Sequence, residues 1–368
     1  MQADVFIAGA GPAGAAAAIA VARASPLKVI LADRALTTER FGETLPGAAR
    51  ALLRDLGVLE HFEADAHPPS LGQASIWGSD QIELRDALFD PLGPGWRLDR
   101  ARLQRRLLET ASSLGCTLMV PAAVTGLRRV GDRGGYWRIS LKKASGLPVE
   151  VHCRFLVDAT GRRASLARRL GMAQVRTDAL VCNTIILPPA PPTDLDGFSM
   201  VEAAPDGWYY GARLGSGTRL VAFHTDFDLA GRRVPDAATF LAGISKLRLI
   251  GRFAGEAASA EPVSRTAAWS GRLASCIGPR WAAAGDAACC FDPLSSQGVF
   301  NALYGGLRLG NAIASDLPPG SAEHLAAYAG EIDSVWHAYR RHHRIYYKAQ
   351  TRWATAPFWR RRASLPGV

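Results

Sequence analysis

Short apolar runs bounded by glycine and polar residues set the pattern of this chain. Residues 5–8 form one run, an alanine-rich stretch follows, and residues 29–31 form a second run. This order predicts a strand, a helix over 14–25 and another strand. Apolar and polar residues alternate with a period of two across 71–88 and 180–225. We therefore expect a mainly antiparallel sheet in these two segments.

Two further helices are predicted from apolar spacing. Asp99 can cap one of them and Gly115 can end it. Its apolar positions recur at helical intervals, at Leu103, Leu107, Leu108 and Ala111. Near the C-terminus an aromatic stripe follows spacings of three and four, through Trp336, Tyr339, His343, Tyr346 and Trp353. We expect this second helix to dock its aromatic stripe on the fold and to turn its arginines outward.

The first strand ends in a glycine-rich turn, Gly9-Ala10-Gly11-Pro12-Ala13-Gly14. Gly9 suits the tight turn, Gly11 lets the backbone approach a pyrophosphate, and Gly14 lets the helix lie close to the sheet. The N-terminus of the helix would then receive the phosphates. Asp33 follows the second run, at the spacing where a carboxylate accepts a hydrogen bond from a ribose 2′-OH. The segment predicts a dinucleotide site.

Residues 281–301 contain an apolar strand, a Gly285-Asp286 turn and an Asp-Pro-Leu-Ser-Ser-Gln-Gly entry into a helix over 298–314. This segment resembles the second FAD motif of FAD-dependent monooxygenases of the aromatic-hydroxylase type, also called class A. The resemblance implies that Asp286 binds the ribityl chain and that Pro293 walls the reactive face of the flavin. It also implies that the flavin N1–C2 edge faces the start of the helix, at Ser296, Gln297, Gly298 and Val299. A helix N-terminus stabilises the negative charge that a reduced flavin carries there.

Other segments match the same family in the same order. The resemblance implies that Arg100 reaches the FAD phosphates and that the strand ending at Ala123-Val124 meets the adenine. Asp158 and Gly161 form an Asp-x-x-Gly signature near the pyrophosphate. Two more FAD-binding residues are implied, Arg34 and Arg40.

The expected fold class is α/β, with a Rossmann-type FAD-binding domain, an inserted and mainly antiparallel β-sheet substrate domain, and a C-terminal helical segment. We expect the FAD-binding domain to be discontinuous, comprising residues 1–70, 96–170 and 265–320. The substrate domain is expected at residues 71–95 and 171–264. A basic, aromatic helical segment is expected at 321–368.

Composition limits the remaining possibilities. No stretch approaches the ~20 apolar residues that a membrane span needs, and a strand begins within three residues of Met1, so we expect neither a membrane span nor a signal peptide. The six cysteines lack metal-ligand spacing, which favours a reducing cytoplasm and no metal site. No nucleic-acid recognition module is visible.

Charge is concentrated at the C-terminus. The 32 residues from His337 onward hold seven arginines and Lys348, with no Asp or Glu, and so contribute eight of the net charge of +10. This pattern fits a solvated basic helix, and it fits equally a cationic rim that attracts an acidic partner.

The resemblance implies a reaction. FAD would be reduced by NAD(P)H or by a separate source of reduced flavin, and O2 would be the co-substrate. An electron-rich aromatic ring would then be hydroxylated through a flavin C4a-hydroperoxide. The chain is similar to a halogenase-related branch that includes flavoproteins maturing tryptophan-derived quinone cofactors, so a tryptophan within an acidic protein is a candidate substrate. Alkene reductases of the geranylgeranyl type share the fold and remain an alternative.

Residues 40–47 resemble the Gly-Glu-x-x-Pro segment of flavin-dependent halogenases, which makes halogenation a competing hypothesis. The resemblance implies that a halogenase needs a lysine in the following segment. No lysine lies between Glu43 and Trp96, and Gln73 is nearest to the expected place. The candidate catalytic residues are Glu43, Pro293 and Gln73.

The predicted sheet carries the candidates for a substrate pocket, which are Trp77, Trp208, Tyr210 and His224. Successive side chains of a strand point to opposite faces, so Trp208 and Tyr210 are expected on one face and Tyr209 on the other. We therefore expect only part of this aromatic set to line a pocket.

Overall fold

The computed structural model describes residues 1–35, 44–131, 135–255, 260–317 and 322–363. The strands of these residues, in chain order, are β1 (Gln2–Ala8), β2 (Val29–Ala32), β3 (Thr44–Leu45), β4 (Pro69–Ser70), β5 (Gly72–Ile76), β6 (Glu83–Asp86), β7 (Gly95–Arg97), β8 (Thr117–Met119), β9 (Ala122–Val130), β10 (Tyr136–Lys143), β11 (Pro148–Asp158), β12 (Gln174–Arg176), β13 (Leu180–Leu187), β14 (Phe198–Ala204), β15 (Gly207–Arg213), β16 (Arg219–Asp226), β17 (Ser264–Ala267), β18 (Gly271–Leu273), β19 (Ile277–Gly278), β20 (Trp281–Ala283) and β21 (Cys289–Cys290). The helices are α1 (Pro12–Ala24), α2 (Ala49–Asp55), α3 (Leu59–Ala64), α4 (Arg100–Ser113), α5 (Ser165–Arg169), α6 (Ala237–Ile244), α7 (Leu249–Ala254), α8 (Gly298–Asp316), α9 (Glu323–Ala349) and α10 (Pro357–Ala363).

The first large sheet has the strand order β19-β20-β11-β1-β2-β8. β1 pairs in parallel with β2 and β11, and β20 pairs in parallel with β11. The antiparallel strands β9 and β10 extend from the first half of β11. Residues 5–8 of β1 and all of β2 are apolar and buried, as expected for parallel strands covered on both faces. This arrangement confirms the expected α/β, Rossmann-type fold.

Helices α1 and α8 pack closely because both helices present small residues. A Cβ on Gly306 would lie 2.2 Å from the carbonyl oxygen of Ala13, and one on Gly310 would lie 2.5 Å from the Cβ of Ala20. The alanine-rich sequence of α1 is therefore matched to glycines about 290 residues farther along the chain. This contact fixes α8, and with it the second FAD motif, against the first.

The second large sheet has seven strands in the order β17-β13-β16-β15-β14-β5-β6. All its pairs are antiparallel except β14 with β5. One face packs against α6 and α7 through buried side chains such as Phe240 and Ile250. The opposite face packs against the C-terminal helices. The mainly antiparallel sheet is confirmed, whereas the residue limits of the domains stay a prediction.

The C-terminal helix α9 docks an aromatic stripe as expected, but two members differ. Tyr347 is buried and Tyr346 is 49% exposed, because the step from His343 that returns to the same helix face is four residues. Trp353 lies beyond the end of α9 and stacks on Trp359 of α10. Within the described ranges, every helix is too short or too polar to cross a membrane.

Candidate active site

The glycine-rich turn has the geometry that its sequence predicts. Gly9 has a φ of +107°, and a Cβ there would lie 2.1 Å from the carbonyl oxygen of Ala159. A Cβ on Gly14 would lie 1.9 Å from the carbonyl oxygen of Gly9. These two glycines are therefore required by the turn itself. A Cβ on Gly11 would meet no atom within 4 Å, so this glycine faces open space.

The N-terminus of α1 fits a phosphate group. Gly11 is the N-cap and offers no side chain to the first-turn amides, and Pro12 occupies the first helical position. The helix begins two residues earlier than expected, because proline is well suited to that position. Uncapped amides and the helix dipole favour an anion there. The backbone around Gly11 to Gly14 is thus available for a pyrophosphate.

Asp33 lies at the end of β2 and contacts the glycine-rich turn. Its Oδ2 accepts a hydrogen bond from the backbone N–H of Ala10 at 2.8 Å. The carbonyl oxygen of Ala10 accepts a hydrogen bond from Gln104 of α4. Arg34 is exposed beside Asp33. The contacts of Asp33 and Gln104 hold the turn in place, and the roles of Asp33 and Arg34 in FAD binding stay predictions.

Asp158 is a buried acceptor that organises the turn after β11. Its carboxylate accepts hydrogen bonds from the backbone N–H and hydroxyl of Thr160 and from the N–H groups of Leu166 and Ala167, at 2.7–2.9 Å. Gly161 has a φ of +70° in the same turn. Because Asp158 is 1% exposed, it shapes this edge of the site from beneath.

Arg162 connects the segment of the Asp-x-x-Gly signature to the second FAD motif, and sequence reasoning missed it. Its Nη1 donates to Oδ2 of Asp286 at 3.1 Å, and its Nη2 donates to the carbonyl oxygen of Phe291 at 2.7 Å. Gly285, with a φ of +60°, packs against Ala13 of α1. The position of Arg162 directly after Gly161 was the available signal.

The loop before α8 presents its backbone outward. Ser296 has a φ of +50°, and Ser296, Gln297 and Gly298 are exposed. No side chain caps the N-terminus of α8, and a Cβ on Gly298 would meet no atom within 4 Å. Val299 is buried beneath this turn. The uncapped amides match the edge of a flavin that becomes negative on reduction.

Asp292 joins this loop to α9. Its Oδ2 accepts a hydrogen bond from the Tyr347 hydroxyl at 2.7 Å and lies 3.4 Å from Nε2 of His343. Its backbone N–H donates to the Tyr339 hydroxyl at 3.1 Å. Burial by itself raises the pKa of Asp292, but the hydrogen bond and charge of His343, the N–H of Leu294 and the charge of Arg362 together outweigh burial, and the pKa is lowered to about 2. Three side chains of α9 therefore hold the residue that precedes Pro293.

The substrate-pocket candidates share one face of the seven-stranded sheet. Trp208 is 1% exposed, stacks on His224 at 3.7 Å, and donates its indole N–H to the Tyr347 hydroxyl at 2.9 Å. Burial lowers the pKa of His224 to about 4. Trp77 donates its indole N–H to a backbone carbonyl of α9. These three side chains pack between the sheet and the C-terminal helices.

Tyr210 and Gln73 lie on the same face but are only half-buried. Tyr209 points to the opposite face, where it stacks on Phe223. The alternation expected for this strand is therefore present. Tyr210 and Gln73 are the members of the candidate set with side-chain surface still accessible, and their contact with a substrate stays a prediction.

Of the remaining candidates, the structure describes Arg100 and Val124. Arg100 begins α4, is 9% exposed and follows the N-cap Asp99, whose Oδ1 accepts from the N–H of Arg102 at 3.0 Å. Val124 lies near the start of β9 and not at the end of a strand, because Pro121 separates β8 from β9 and cannot donate to a ladder. Arg40 and Glu43 lie outside the described residues.

Comparison with known proteins identifies the family. The model of the FAD binding domain family matches residues 2–341. The chain belongs to this family. A putative FAD-dependent oxidoreductase, LodB of Marinomonas mediterranea, is 27% identical over 364 residues, which cover 98% of this chain and 96% of LodB. The protein is therefore a FAD-dependent oxidoreductase, and the glycine-rich turn and the start of α8 lie in its cofactor-binding domain.

Two solved structures show the breadth of the fold. The peptidyl tryptophan dihydroxylase QhpG, which is essential for tryptophylquinone cofactor biogenesis, has a TM-score of 0.78 and 26% identity, covering 100% of this chain and 80% of QhpG. The myxobacterial chondrochloren halogenase CndH has a TM-score of 0.87 and 21% identity, covering 98% of this chain and 86% of CndH. This FAD-binding family member thus has the fold of both hydroxylases and halogenases, which confirms the halogenase-related class A branch.

Proposed function

We propose that this flavoprotein hydroxylates an electron-rich aromatic ring, and that the ring is a tryptophan side chain of a partner protein. NAD(P)H or a separate source of reduced flavin would supply electrons, and O2 would supply the oxygen. Bound FAD would supply the redox chemistry that activates O2. The FAD-binding family and the hydroxylases among its structural neighbours support this reaction class.

The residues that would hold FAD are arranged on rigid elements. The amides at the start of α1 would bind the phosphates, and the amides at the start of α8 would stabilise negative charge on the flavin ring. Arg162 holds Asp286 in place by their ion pair. Asp292, fixed by α9, positions the loop that contains Pro293. The aromatic face of the sheet would exclude water from the reacting ring.

The positions of the lysines favour hydroxylation over halogenation. The chain has five lysines, at residues 28, 142, 143, 246 and 348. All five are exposed; they lie before β2, at the end of β10, before α7 or on α9. Gln73, on the inner face of the second sheet, is nearest in sequence to the lysine that the halogenase resemblance requires. A reaction that needs no lysine at the site is therefore favoured.

A tryptophan within a protein is the substrate that the relatives favour. QhpG acts on a peptidyl tryptophan, and both QhpG and LodB match this chain over nearly its whole length. The net charge of +10 would speed encounter with an acidic partner.

The reaction is tested with the purified FAD-loaded protein, NADPH or chemically reduced flavin, and a candidate acidic protein substrate under ¹⁸O2. Intact-mass analysis should show the substrate gaining labelled oxygen. A gain of two hydrogens without label would instead support an alkene-reductase type of reaction. A bromide-dependent mass gain would support halogenation, and either result would overturn the proposal.

The matched control is Gly11→Val, which fills the space above the start of α1 and leaves the sheet face unchanged. This variant should lose FAD and produce no labelled substrate. Oxygen incorporation that is equal with and without bound FAD would also contradict the proposal.

A further inference from the structure

The segment after β5, residues 82–92, exposes several large apolar side chains that are close in sequence. Leu84 and Leu92 are 60% and 63% exposed, and Leu88 and Phe89 are 84% and 88% exposed. Ile82 adds a further side chain that is 44% exposed. Single exposed apolar residues are ordinary, but a contiguous group of them marks an interaction surface. We call these five residues the β6 edge surface.

β6 is the last strand of the seven-stranded sheet. It pairs with β5 on one side, and within the described ranges no strand pairs with its other side. An exposed strand edge can pair with another chain, and proteins usually prevent this with prolines or with charges that repel. β6 has no proline, and although Glu83, Arg85 and Asp86 are charged, Glu83 and Arg85 have opposite signs and flank Leu84, so these two charges can attract a second copy in one register.

We propose that the β6 edge surface binds a second copy of this chain, by antiparallel pairing of the two β6 strands about Leu84. In this register Leu84 faces Leu84 of the second copy, and Glu83 faces Arg85 of the second copy twice. Opposite charges directly across an antiparallel pair are stabilising, and a two-fold interface doubles each contact. A shift by one residue toward the C-terminus would place Glu83 opposite Asp86, where like charges repel.

The faces of the sheet agree with this register. Leu84 lies opposite Ala74 of β5, on the face that is buried against α6 and α7. Pairing would extend that apolar face across both copies. Asp86 accepts a hydrogen bond from the N–H of Leu88 at 2.8 Å, which fixes the turn that holds Leu88 and Phe89 at the end of the strand. This apolar pair would then contact the start of the strand in the second copy.

Charge exchange tests the register directly. Sedimentation velocity of the FAD-loaded chain across the micromolar range should show a dimer. Glu83→Arg and Arg85→Glu should each weaken the dimer at least about tenfold, equivalent to ~1.4 kcal/mol, because each single change places like charges opposite each other. The double variant Glu83→Arg/Arg85→Glu should restore the dimer.

Leu84→Asp gives an independent test, and it should abolish the dimer. Glu60→Arg, an exposed change on α3, is the matched control and should leave the dimer intact. Retention of bound FAD would show that each variant is folded. A monomeric wild-type chain would overturn the proposal and assign the surface to another protein. The proposal would also be overturned if Leu84→Asp left the dimer intact. It would equally be overturned if the double variant Glu83→Arg/Arg85→Glu failed to restore the dimer.

Discussion

The Tyr347 hydroxyl makes two hydrogen bonds that join three parts of the fold, so we expect Tyr347→Phe to be strongly destabilising. The hydroxyl donates to Asp292 at 2.7 Å and accepts from the Trp208 indole at 2.9 Å. A hydrogen bond to a charged group contributes about 1.5–3 kcal/mol, and a buried donor left without a partner costs about 1–3 kcal/mol. Because Asp292 keeps its contact with His343 and the N–H of Leu294, we expect a loss of about 3–4 kcal/mol in the free energy of unfolding.

Equilibrium unfolding in urea, followed by tryptophan fluorescence and by release of FAD, measures this loss. Tyr346→Phe is the matched control, because Tyr346 is the neighbouring residue and is 49% exposed; it should change stability by less than ~0.5 kcal/mol. Tyr347→Phe should also weaken FAD binding, since Asp292 precedes the flavin-side loop. A loss below about 1 kcal/mol for Tyr347→Phe would refute the claim that this hydroxyl couples the sheet, the loop and α9.

Three further predictions concern the cofactor, pH and catalysis. Gly11→Val should weaken FAD binding more than tenfold, or ~1.4 kcal/mol, without changing the circular dichroism of the fold; flavin fluorescence titration measures this, and unaltered affinity would remove Gly11 from the phosphate site. Burial lowers the pKa of His224 from 6.5 in the unfolded chain to about 4 in the fold, so the full stability is present above pH ~6.5 and about 3 kcal/mol of it is lost progressively as the pH falls from ~6.5 through ~4. His224→Phe should flatten this part of the stability–pH curve, whereas His337→Phe, on the exposed face of α9, should not. Glu43→Gln should leave FAD bound and slow product formation, and unchanged turnover would exclude Glu43 from catalysis.

The FAD-binding motifs were predictable because their signals are local. Gly9 and Gly14 are needed by the backbone of one turn, and the Gly285-Asp286 turn and the start of α8 lie within one short segment of the chain, 281–301. The strands of the second sheet were also predictable, because their side chains alternate between two differently packed faces and so give the sequence a period of two. The packing of α1 on α8 was less visible, because the matching small residues are separated by most of the chain.

The interior contacts of the site could not be predicted from local pattern. Asp158 has the spacing of a cofactor-binding signature, yet its carboxylate accepts hydrogen bonds from Thr160 in its own turn and from the first N–H groups of α5. Arg162 looks like one of many arginines in sequence, and only the fold brings it to Asp286. Tyr347 was missed in favour of Tyr346 because helical phase near the end of a long helix depends on small offsets.

The charge of the C-terminal segment divides into an internal and an external part. Arg362 pairs with Asp226 at 2.7 Å where both side chains are buried, and Arg361 pairs with Asp226 and Asp228. Charges neutralised inside the fold add little to the field that a partner meets, and physiological salt screens exposed charges beyond ~8 Å. Attraction of an acidic protein would therefore depend on the exposed bases of α9, such as Arg341 and Lys348. The aromatic face and buried arginines of the basic C-terminus close the fold while its outer face stays cationic, and attraction of an acidic partner to that face stays a prediction.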